Sequence, residues 1–203
     1  MEMDSDRQMC SGWDNSQCRG TPYCPSRCPR YIDNTGLAIE ILPYHDEDLG
    51  SLVTMYDELE WEDRTMGLPP VTRPDIHTWI QTLAADGWNL VAHADNRIVG
   101  HVGIAPVESH EPQFVIFVHH DYHNRGIGSE MVRQVIAYAA DRGYDAIELS
   151  AASDNKRSIH VYENIGFEQA TQQLSTESTS HIDMRFSFPH PIADYVRLPP
   201  AEQ

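Results

Sequence analysis

The stretch FVIFVHHDYHNRGIGSEMV, residues 114–132, combines an apolar run, a polar turn and the start of a helix. The run FVIFV is typical of a strand that is covered on both faces of a sheet. Gly126 and Gly128 then stand directly before a helical pattern. Glycines at this place let backbone amides approach a bound group closely, often a phosphate. The loop alone is equally consistent with a tight strand-to-helix turn that binds nothing.

The sequence on both sides of this stretch predicts strands and helices that alternate. Residues 37–42 alternate like a half-buried strand, and two helices and a hairpin that turns at Asp95-Asn96 follow them. After the glycines, apolar stripes predict a helix over residues 126–142. A strand (AIELSA), a shorter helix (KRSIHVYENIG) and a final strand pair complete the order. The order predicts an α/β (α+β) fold, in which a mixed sheet carries helices on its faces.

The glycine loop does not match either common nucleotide motif. No Gly-Lys-Ser/Thr follows the glycines, so the stretch is not a P-loop. The third glycine of the dinucleotide fingerprint is replaced by Met131. A second block, SDNKRSIHVYENIGFE, supplies Asn155, Tyr162 and Gly166-Phe167 after the next strand. Together, the two blocks resemble the GNAT superfamily of acyl-CoA-dependent N-acyltransferases over residues 36–188.

The resemblance implies a GNAT-like mixed, largely antiparallel sheet with a splayed central strand pair and helices on both faces. It implies acetyl-CoA as the cosubstrate, with its pyrophosphate at the amides of the glycine loop. His123 stands where the family usually has Arg or Gln. The implied cofactor-binding residues are Ile116, Phe117 and Val118 for the pantetheine arm, and Asn124, Arg125, Gly126, Ile127, Gly128, Ser129, Asn155 and Tyr162 for the remainder.

Three of these positions carry the expected chemistry, and each has a structural alternative. Tyr162 matches the family's general acid, which protonates the departing thiolate, and the alternative is a core tyrosine. Asn155 matches the family's cofactor-orienting asparagine, although a helix N-cap needs the same side chain. We select Glu111, which precedes the FVIFV strand, as the general base; a chain of waters is the alternative. By default, any glutamate of so acidic a chain is a solvated surface charge.

The composition restricts the partners of the protein. The 203 residues carry 31 acidic against 14 basic side chains, a net charge of -17, and Lys156 is the only lysine. Such a surface repels nucleic acids and anionic membranes, so neither is an expected partner. The acidity resembles that of proteins from a high-salt cytoplasm, where cations screen self-repulsion. Without an apolar signal segment or a transmembrane stretch, we expect a cytoplasmic protein.

All four cysteines lie in the N-terminal segment, which we define as residues 1–35 and separate from an acetyltransferase domain over residues 36–188 and an irregular tail over residues 189–203. In a reducing cytosol such a cluster is more typical of metal binding than of disulfides, and thiolates suit zinc or an iron–sulfur cluster. Disulfides and free thiols remain alternatives. The predicted metal ligands are Cys10, Cys18, Cys24 and Cys28.

The predicted function is transfer of an acetyl group from acetyl-CoA to a primary amine by direct attack in a ternary complex. The amine acceptor is a small molecule or a protein amine, and the sequence does not choose between them. The alternative is a non-catalytic acyl-CoA sensor or interaction module, since no general base is evident and His123 departs from the family pattern. A homodimer is left open.

Overall fold

The structure is a computed structural model that describes Cys18 and residues 24–64, 68–170 and 181–189. Its strands are β1 (Arg30–Ile32), β2 (Ala38–Pro43), β3 (Trp88–Ala94), β4 (Arg97–Ala105), β5 (Gln113–Val118), β6 (Ala146–Ala152), β7 (Glu168–Gln169) and β8 (His181–Ser187). They form one sheet in the order β1-β2-β3-β4-β5-β6-β8-β7. Neighbouring strands are antiparallel except β5 and β6, which are parallel. The predicted fold class is confirmed.

Four α-helices cover the sheet. They are α1 (Leu49–Asp57), α2 (Arg73–Asp86), α3 (Ile127–Asp141) and α4 (Lys156–Ile165). Short 3-10 turns cover Asp46–Asp48, Trp61–Asp63 and His120–Tyr122. The side chain of Thr72 accepts a hydrogen bond from the Asp75 amide and so begins α2, as its sequence predicts. Gly166, with φ of 113°, ends α4 in the left-handed region that favours glycine.

The core has two parts, one on each face of the sheet. On one face, α3 and α4 cover apolar side chains of the central strands, and the predicted stripe of α3 is buried there. On the other face, α1 and α2 cover a smaller cluster that includes Leu52, Tyr56, Ile76 and Ile80. Because both faces are covered, the central strands consist largely of apolar residues.

The predicted hairpin between β3 and β4 is confirmed. Its two turn residues, Asp95 and Asn96, have φ of 47° and 65°. Two consecutive left-handed residues match the twist of the strands in a two-residue hairpin, and Asp and Asn tolerate this conformation better than most residues. The turn therefore sets the register of β3 against β4, which begins at the pair Ala94–Arg97.

Strand β1 was not predicted, because three residues give no measurable periodicity. It pairs with β2 through Arg30–Glu40, Tyr31–Ile39 and Ile32–Ala38. The residues just before it contact α3, where Gln134 Nε2 donates to the Cys28 carbonyl at 2.5 Å. Part of the N-terminal segment thus belongs to the sheet. The predicted tail lies outside the described residues except for Pro189.

Among the described residues, no helix combines the length and the apolar character that are needed to span a bilayer.

Candidate active site

A gap opens in the middle of the sheet between β5 and β6. Strand β5 pairs with β4 along its whole length, from Gln113 to Val118. With β6 it shares a single register pair, Gln113–Glu148, after which the two strands diverge. Backbone groups on the β6 side of β5 therefore lose their strand partner, and buried backbone groups require another acceptor or donor. The gap is the predicted place for an extended ligand that carries amide groups.

The side chains of β5 divide between the two faces of the sheet beside this gap. Ile116 and Val118 pack toward α3, and the methyl group Val118 Cγ2 lies 3.7 Å from where a Cβ would stand at Gly128. Phe117 faces α1 and α2, with ring centroids 5.5 Å from Tyr56 and 6.2 Å from Trp79. The three predicted pantetheine-binding residues thus border the gap, and the first turn of α3 stands at its end.

The glycine loop joins β5 to α3 through two left-handed residues. Asn124 has φ of 63° and Gly126 has φ of 86°, and Gly126 immediately precedes the helix. The amides of Ile127, Gly128 and Ser129 belong to the first turn of α3, where a helix has no acceptor for them. A 15-residue helix also places partial positive charge at this end. The arrangement suits an anionic group at the amides.

The side chain of Arg125 is engaged within the loop. Its Nη1 lies 3.7 Å from Asp33 Oδ2, and its Nη2 donates to the Asp121 carbonyl at 2.8 Å. The Arg125 carbonyl accepts hydrogen bonds from the Asn34 amide at 3.0 Å and the Tyr31 hydroxyl at 3.3 Å. These contacts attach the loop to the segment around β1. Both the guanidinium and the carbonyl of Arg125 therefore have partners in the protein.

His123, which replaces the family's Arg or Gln, has a structural partner. Its Nε2 donates to the Val118 carbonyl at 2.8 Å, which joins the loop to the end of β5. The loop histidine is therefore not a freely solvated side chain. His119 begins the loop with only 3% of its surface exposed. Burial and the neighbouring His120 lower the pKa of His119, so its imidazole is neutral at physiological pH.

Tyr162 lies on the buried face of α4. It is 8% exposed, and its ring centroid lies 6.5 Å from that of Phe114 and 5.8 Å from that of Phe167. Burial raises the pKa of Tyr162 to about 12. The hydroxyl therefore keeps its proton at neutral pH, as a general acid must. The ring contacts also make this a core tyrosine, so both interpretations of the residue describe part of its environment.

Asn155 caps α4. Its Oδ1 accepts a hydrogen bond from the Ser158 amide at 3.1 Å, and the next two residues, Lys156 and Arg157, begin the helix. The structural alternative for this asparagine, a helix N-cap, is therefore observed. A cofactor contact through its other side-chain atom stays a prediction.

Glu111 lies just before β5 in an ion pair with Arg185. Both carboxylate oxygens meet the guanidinium, Oε2 at 2.7 Å from Nη1. Arg185 Nη1 also binds Glu148 Oε1 at 2.7 Å. The hydrogen bonds from Arg185 lower the pKa of Glu111. A lower pKa weakens a carboxylate as a proton acceptor, so the ion pair disfavours Glu111 as the general base. That role stays a prediction.

Sequence reasoning did not select Asp183, which lies on the same face of the sheet as Glu148. On β6, Ile147, Leu149 and Ala151 point into the α3 side of the core, so Glu148 and Ser150 point toward the α1 side. In the register with β8, Ser150 stands opposite Asp183, and its hydroxyl donates to Asp183 Oδ1 at 2.5 Å. The alternation of HIDMRF around the buried Met184 was the available signal.

The predicted cysteine ligands are only partly within the described residues. Cys10 lies outside them, whereas Cys18 and Cys28 are half-buried and Cys24 is exposed. Within the described ranges, one group of metal-ligand side chains has donor atoms that all lie within 4.8 Å of one another, and it consists of His119, His120 and Asp121. Zinc or an iron–sulfur cluster at the cysteines stays a prediction.

The parallel splayed pair, the left-handed loop before α3 and the buried tyrosine agree with the class of acyl-CoA-dependent transferases that the sequence resembles. The model of the acetyltransferase (GNAT) family matches residues 53–167, more than half of the chain. The chain belongs to the GNAT family.

Two curated relatives are named for amino acid acylation. The L-amino acid N-acetyltransferase AaaT of Escherichia coli is 36% identical over 105 residues, which cover 48% of this chain and 65% of the relative. The L-amino acid N-acyltransferase MnaT of the same organism is 23% identical over 140 residues, or 65% and 78% of the two chains. Several of the curated relatives are matched over less than two thirds of their own length.

Solved structures share the fold. The GNAT domain of PAT from S. lividans superposes with a TM-score of 0.66 at 18% identity, covering 78% of this chain and 96% of that domain. The structure of yncA from Salmonella typhimurium, determined with its cofactor acetyl-CoA, gives a TM-score of 0.57 at 17% identity and covers 76% of this chain and 96% of that one. At these identities the likeness concerns the fold alone.

Proposed function

We propose that the protein transfers an acetyl group from acetyl-CoA to a primary amine. The observation that carries the proposal is the gap between β5 and β6, which ends at the left-handed loop and the first turn of α3. A pantetheine arm carries two amides that can pair with the backbone groups that the segment Ile116, Phe117 and Val118 turns toward the gap. Its pyrophosphate then lies at the amides of residues 124–129. Membership of the GNAT family supports this placement.

In the proposed reaction, the neutral amine nitrogen attacks the thioester carbonyl carbon. A carbon–nitrogen bond forms, and the carbon–sulfur bond breaks when the tetrahedral adduct collapses. The proton of the attacking amine passes to a base, and the Tyr162 hydroxyl donates its proton to the departing thiolate. Burial favours this role because it keeps the hydroxyl protonated. Each such proton transfer contributes about 10²–10⁴-fold to the rate.

Two carboxylates near β6 and β8 are candidates for the base. Glu111 is held by both nitrogens of the Arg185 fork, which favours the ionised but weakly basic form. Asp183 accepts a hydrogen bond from the Ser150 hydroxyl and has His181 Nε2 3.9 Å away. The variants Glu111→Gln and Asp183→Asn separate them, because only loss of the true base lowers kcat without weakening coenzyme A binding. If both retain wild-type kcat, the proton leaves through water.

The names of the two amino acid acyltransferases among the relatives make L-amino acids the first acceptors to test, with polyamines and peptide N-termini as comparisons. The assay measures free thiol released from acetyl-CoA in the presence of each amine. We expect release that depends on the amine and a matching acetylated product by mass spectrometry. Tight coenzyme A binding without turnover on any amine would instead support the sensor, which the Glu111–Arg185 ion pair also permits.

We also retain the proposal that the N-terminal cysteines bind zinc or an iron–sulfur cluster. Metal analysis of tag-free protein, together with titration of its thiols, tests it. A metal content near zero with four reactive thiols would remove the proposal.

A further inference from the structure

Two consecutive histidines and an aspartate stand at the end of β5 with one donor atom from each within 4.8 Å of the others. His119 Nδ1 lies 3.7 Å from Asp121 Oδ2, and His120 Nε2 lies 3.7 Å from Asp121 Oδ1. The two imidazole rings stack with centroids 4.2 Å apart. Distances of 3.7 Å are too long for hydrogen bonds. They are close to the roughly 3.4 Å that separates two ligands of one tetrahedral ion with bonds of about 2.0–2.1 Å.

Each imidazole has a second carboxylate at its other nitrogen. His119 Nε2 lies 3.5 Å from Glu58 Oε2, and His120 Nδ1 lies 3.3 Å from Asp63 Oδ2. Histidine ligands of metals usually donate the N–H of their second nitrogen to a carboxylate, which fixes the tautomer. Here that pattern occurs twice. The inner nitrogens, His119 Nδ1 and His120 Nε2, face Asp121. The outer nitrogens, His119 Nε2 and His120 Nδ1, face Glu58 and Asp63.

Three atoms of this arrangement are buried without a hydrogen-bond partner in the described structure: His119 Nε2, His120 Nδ1 and Asp63 Oδ2. The His119 side chain is 97% buried, by its relative exposure of 3%. Buried polar atoms are nearly always paired, and pairing these with Glu58 and Asp63 requires a proton on each outer nitrogen. Those protons leave the lone pairs on the inner nitrogens, His119 Nδ1 and His120 Nε2. In the present arrangement, His119 Nδ1 accepts only a long hydrogen bond of 3.3 Å from the Asp121 amide. That bond leaves its lone pair weakly engaged.

We propose that His119 Nδ1, His120 Nε2 and one Asp121 carboxylate oxygen bind a divalent transition-metal ion of the zinc type. Imidazole and carboxylate ligands suit zinc, and three protein ligands leave a fourth position open. The exposed Asp121 places that position at the surface. Glu58 and Asp63 orient the imidazoles and add negative charge, part of which Arg97 offsets through its 2.5 Å ion pair with Glu58.

The ion would connect two parts of the fold. His119, His120 and Asp121 begin the glycine loop, whereas Glu58 ends α1 and Asp63 belongs to the 3-10 turn that leads toward α2. With the outer nitrogens protonated, the imidazoles can donate to Glu58 and Asp63, which lie at 3.5 Å and 3.3 Å. Metal binding therefore stabilises the position of residues 58–63 relative to the glycine loop.

The test is zinc titration by calorimetry of the tag-free full chain, in which Cys10, Cys18, Cys24 and Cys28 are replaced by serine. We expect one zinc ion per chain, an affinity loss of about 100-fold or more for His120→Ala and Asp121→Ala, and a loss of about 10–100-fold for Asp63→Asn. His110→Ala is the matched control, since its Nδ1 also faces a carboxylate, Asp145 Oδ2, at 3.7 Å on the surface. Its zinc affinity should not change.

If the serine variant does not fold, the same titration is made on the wild-type chain after its thiols are alkylated. Long-range proton–nitrogen NMR then gives the tautomers: we expect Nε2–H for His119 and Nδ1–H for His120 in the zinc-loaded protein. No zinc binding, or an equal affinity in His120→Ala and wild type, would overturn the proposal. Identical tautomers of the two histidines in the loaded protein would overturn it as well.

Discussion

The hydroxyl of Tyr31 occupies the space that a Cβ at residue 126 would need, so Gly126 and Tyr31 are complementary. The hydroxyl donates to the Arg125 carbonyl, and the Tyr31 ring lies in β1, which precedes the acyltransferase motifs by about 90 residues in the chain. Gly126 also has φ of 86°, which a side chain rarely adopts. The N-terminal strand thus supports the loop that we assign to the cofactor's pyrophosphate.

We predict that Gly126→Ala weakens coenzyme A binding and lowers stability by more than the roughly 1–2 kcal/mol of left-handed strain alone. Gly143→Ala is the control, because Gly143 has φ of 72° but nothing within 4 Å of its added Cβ. Chemical denaturation gives the stability of both variants, and calorimetry gives the coenzyme A affinity. The double variant Tyr31→Phe/Gly126→Ala should recover the loss of stability that comes from the clash with the hydroxyl, but not the loss that comes from left-handed strain. Equal losses in the two single variants would contradict the role of Tyr31.

Replacement of Tyr162 by Phe should lower kcat by about 10²–10⁴-fold with little change in coenzyme A affinity. The hydroxyl is lost while the ring contacts with Phe114 and Phe167 remain. Because burial raises its pKa to about 12, wild-type activity should show no loss of the acid between about pH 8 and pH 10. Steady-state kinetics across this range measure both effects. Tyr144→Phe, which removes another buried hydroxyl, should leave kcat unchanged.

Stability should fall in acid through His101, which is completely buried between Tyr56 and Asn89. Asn89 Oδ1 can only accept, so His101 Nε2 carries the proton and donates to it at 3.0 Å, and Nδ1 accepts from the Tyr56 hydroxyl at 2.6 Å. Burial lowers the pKa of His101 to about 3. In the unfolded chain the ordinary value is near 6.5, so only the unfolded state gains a proton between these limits.

This difference between the folded and unfolded pKa of His101 causes no change in stability above about pH 6.5. Below that pH, the free energy of unfolding should decrease by up to about 1.4 kcal/mol per pH unit until about pH 3. Urea denaturation of wild type and His101→Gln at several pH values isolates the contribution, because both proteins share their other titrating groups. Parallel pH curves for the two proteins would show that His101 does not cause the loss.

The ion pair between Arg27 and Glu130 should make the N-terminal segment part of the folded domain. Arg27 Nε lies 2.6 Å from Glu130 Oε1 and Nη2 lies 3.0 Å from Oε2, with side-chain exposures of 15% and 8%. Arg27→Ala leaves a buried carboxylate without its main partner, at a cost of about 3–5 kcal/mol. Arg133→Ala removes the more exposed neighbour at 3.8 Å and should cost below about 1 kcal/mol. Thermal denaturation compares the two, and similar small losses would argue that the segment is dispensable.

The net charge of -17 predicts that salt stabilises the protein. Raising potassium chloride from about 0.1 M to about 2 M shortens the screening length to a few ångströms and weakens repulsion among the carboxylates. The measured Tm should rise with salt, and acetyl transfer should persist at the high concentration. Sucrose at a matched viscosity is the control for general exclusion effects. A Tm that does not change with salt would remove the interpretation of a salt-adapted surface.

The sequence by itself determined the features that depend on neighbouring residues. The turn at Asp95-Asn96, the caps of α2 and α4 and the helix after Gly126 follow from local backbone preferences and short periodicities. The two GNAT blocks fall in this group, because the loop and the capped helix are each continuous in the chain. The splayed strand pair came from the family resemblance and agrees with the single register pair between β5 and β6.

Only the tertiary structure decided which distant side chains meet. It paired Glu111 with Arg185, placed Tyr31 against Gly126, and arranged Glu58 and Asp63 around the loop histidines. Local periodicity carries no information on such contacts, since they depend on strand order and on the packing of α1 against the sheet. For that reason the role that we propose for His119 and His120, which the sequence left without one, rests on Glu58 and Asp63 reaching them.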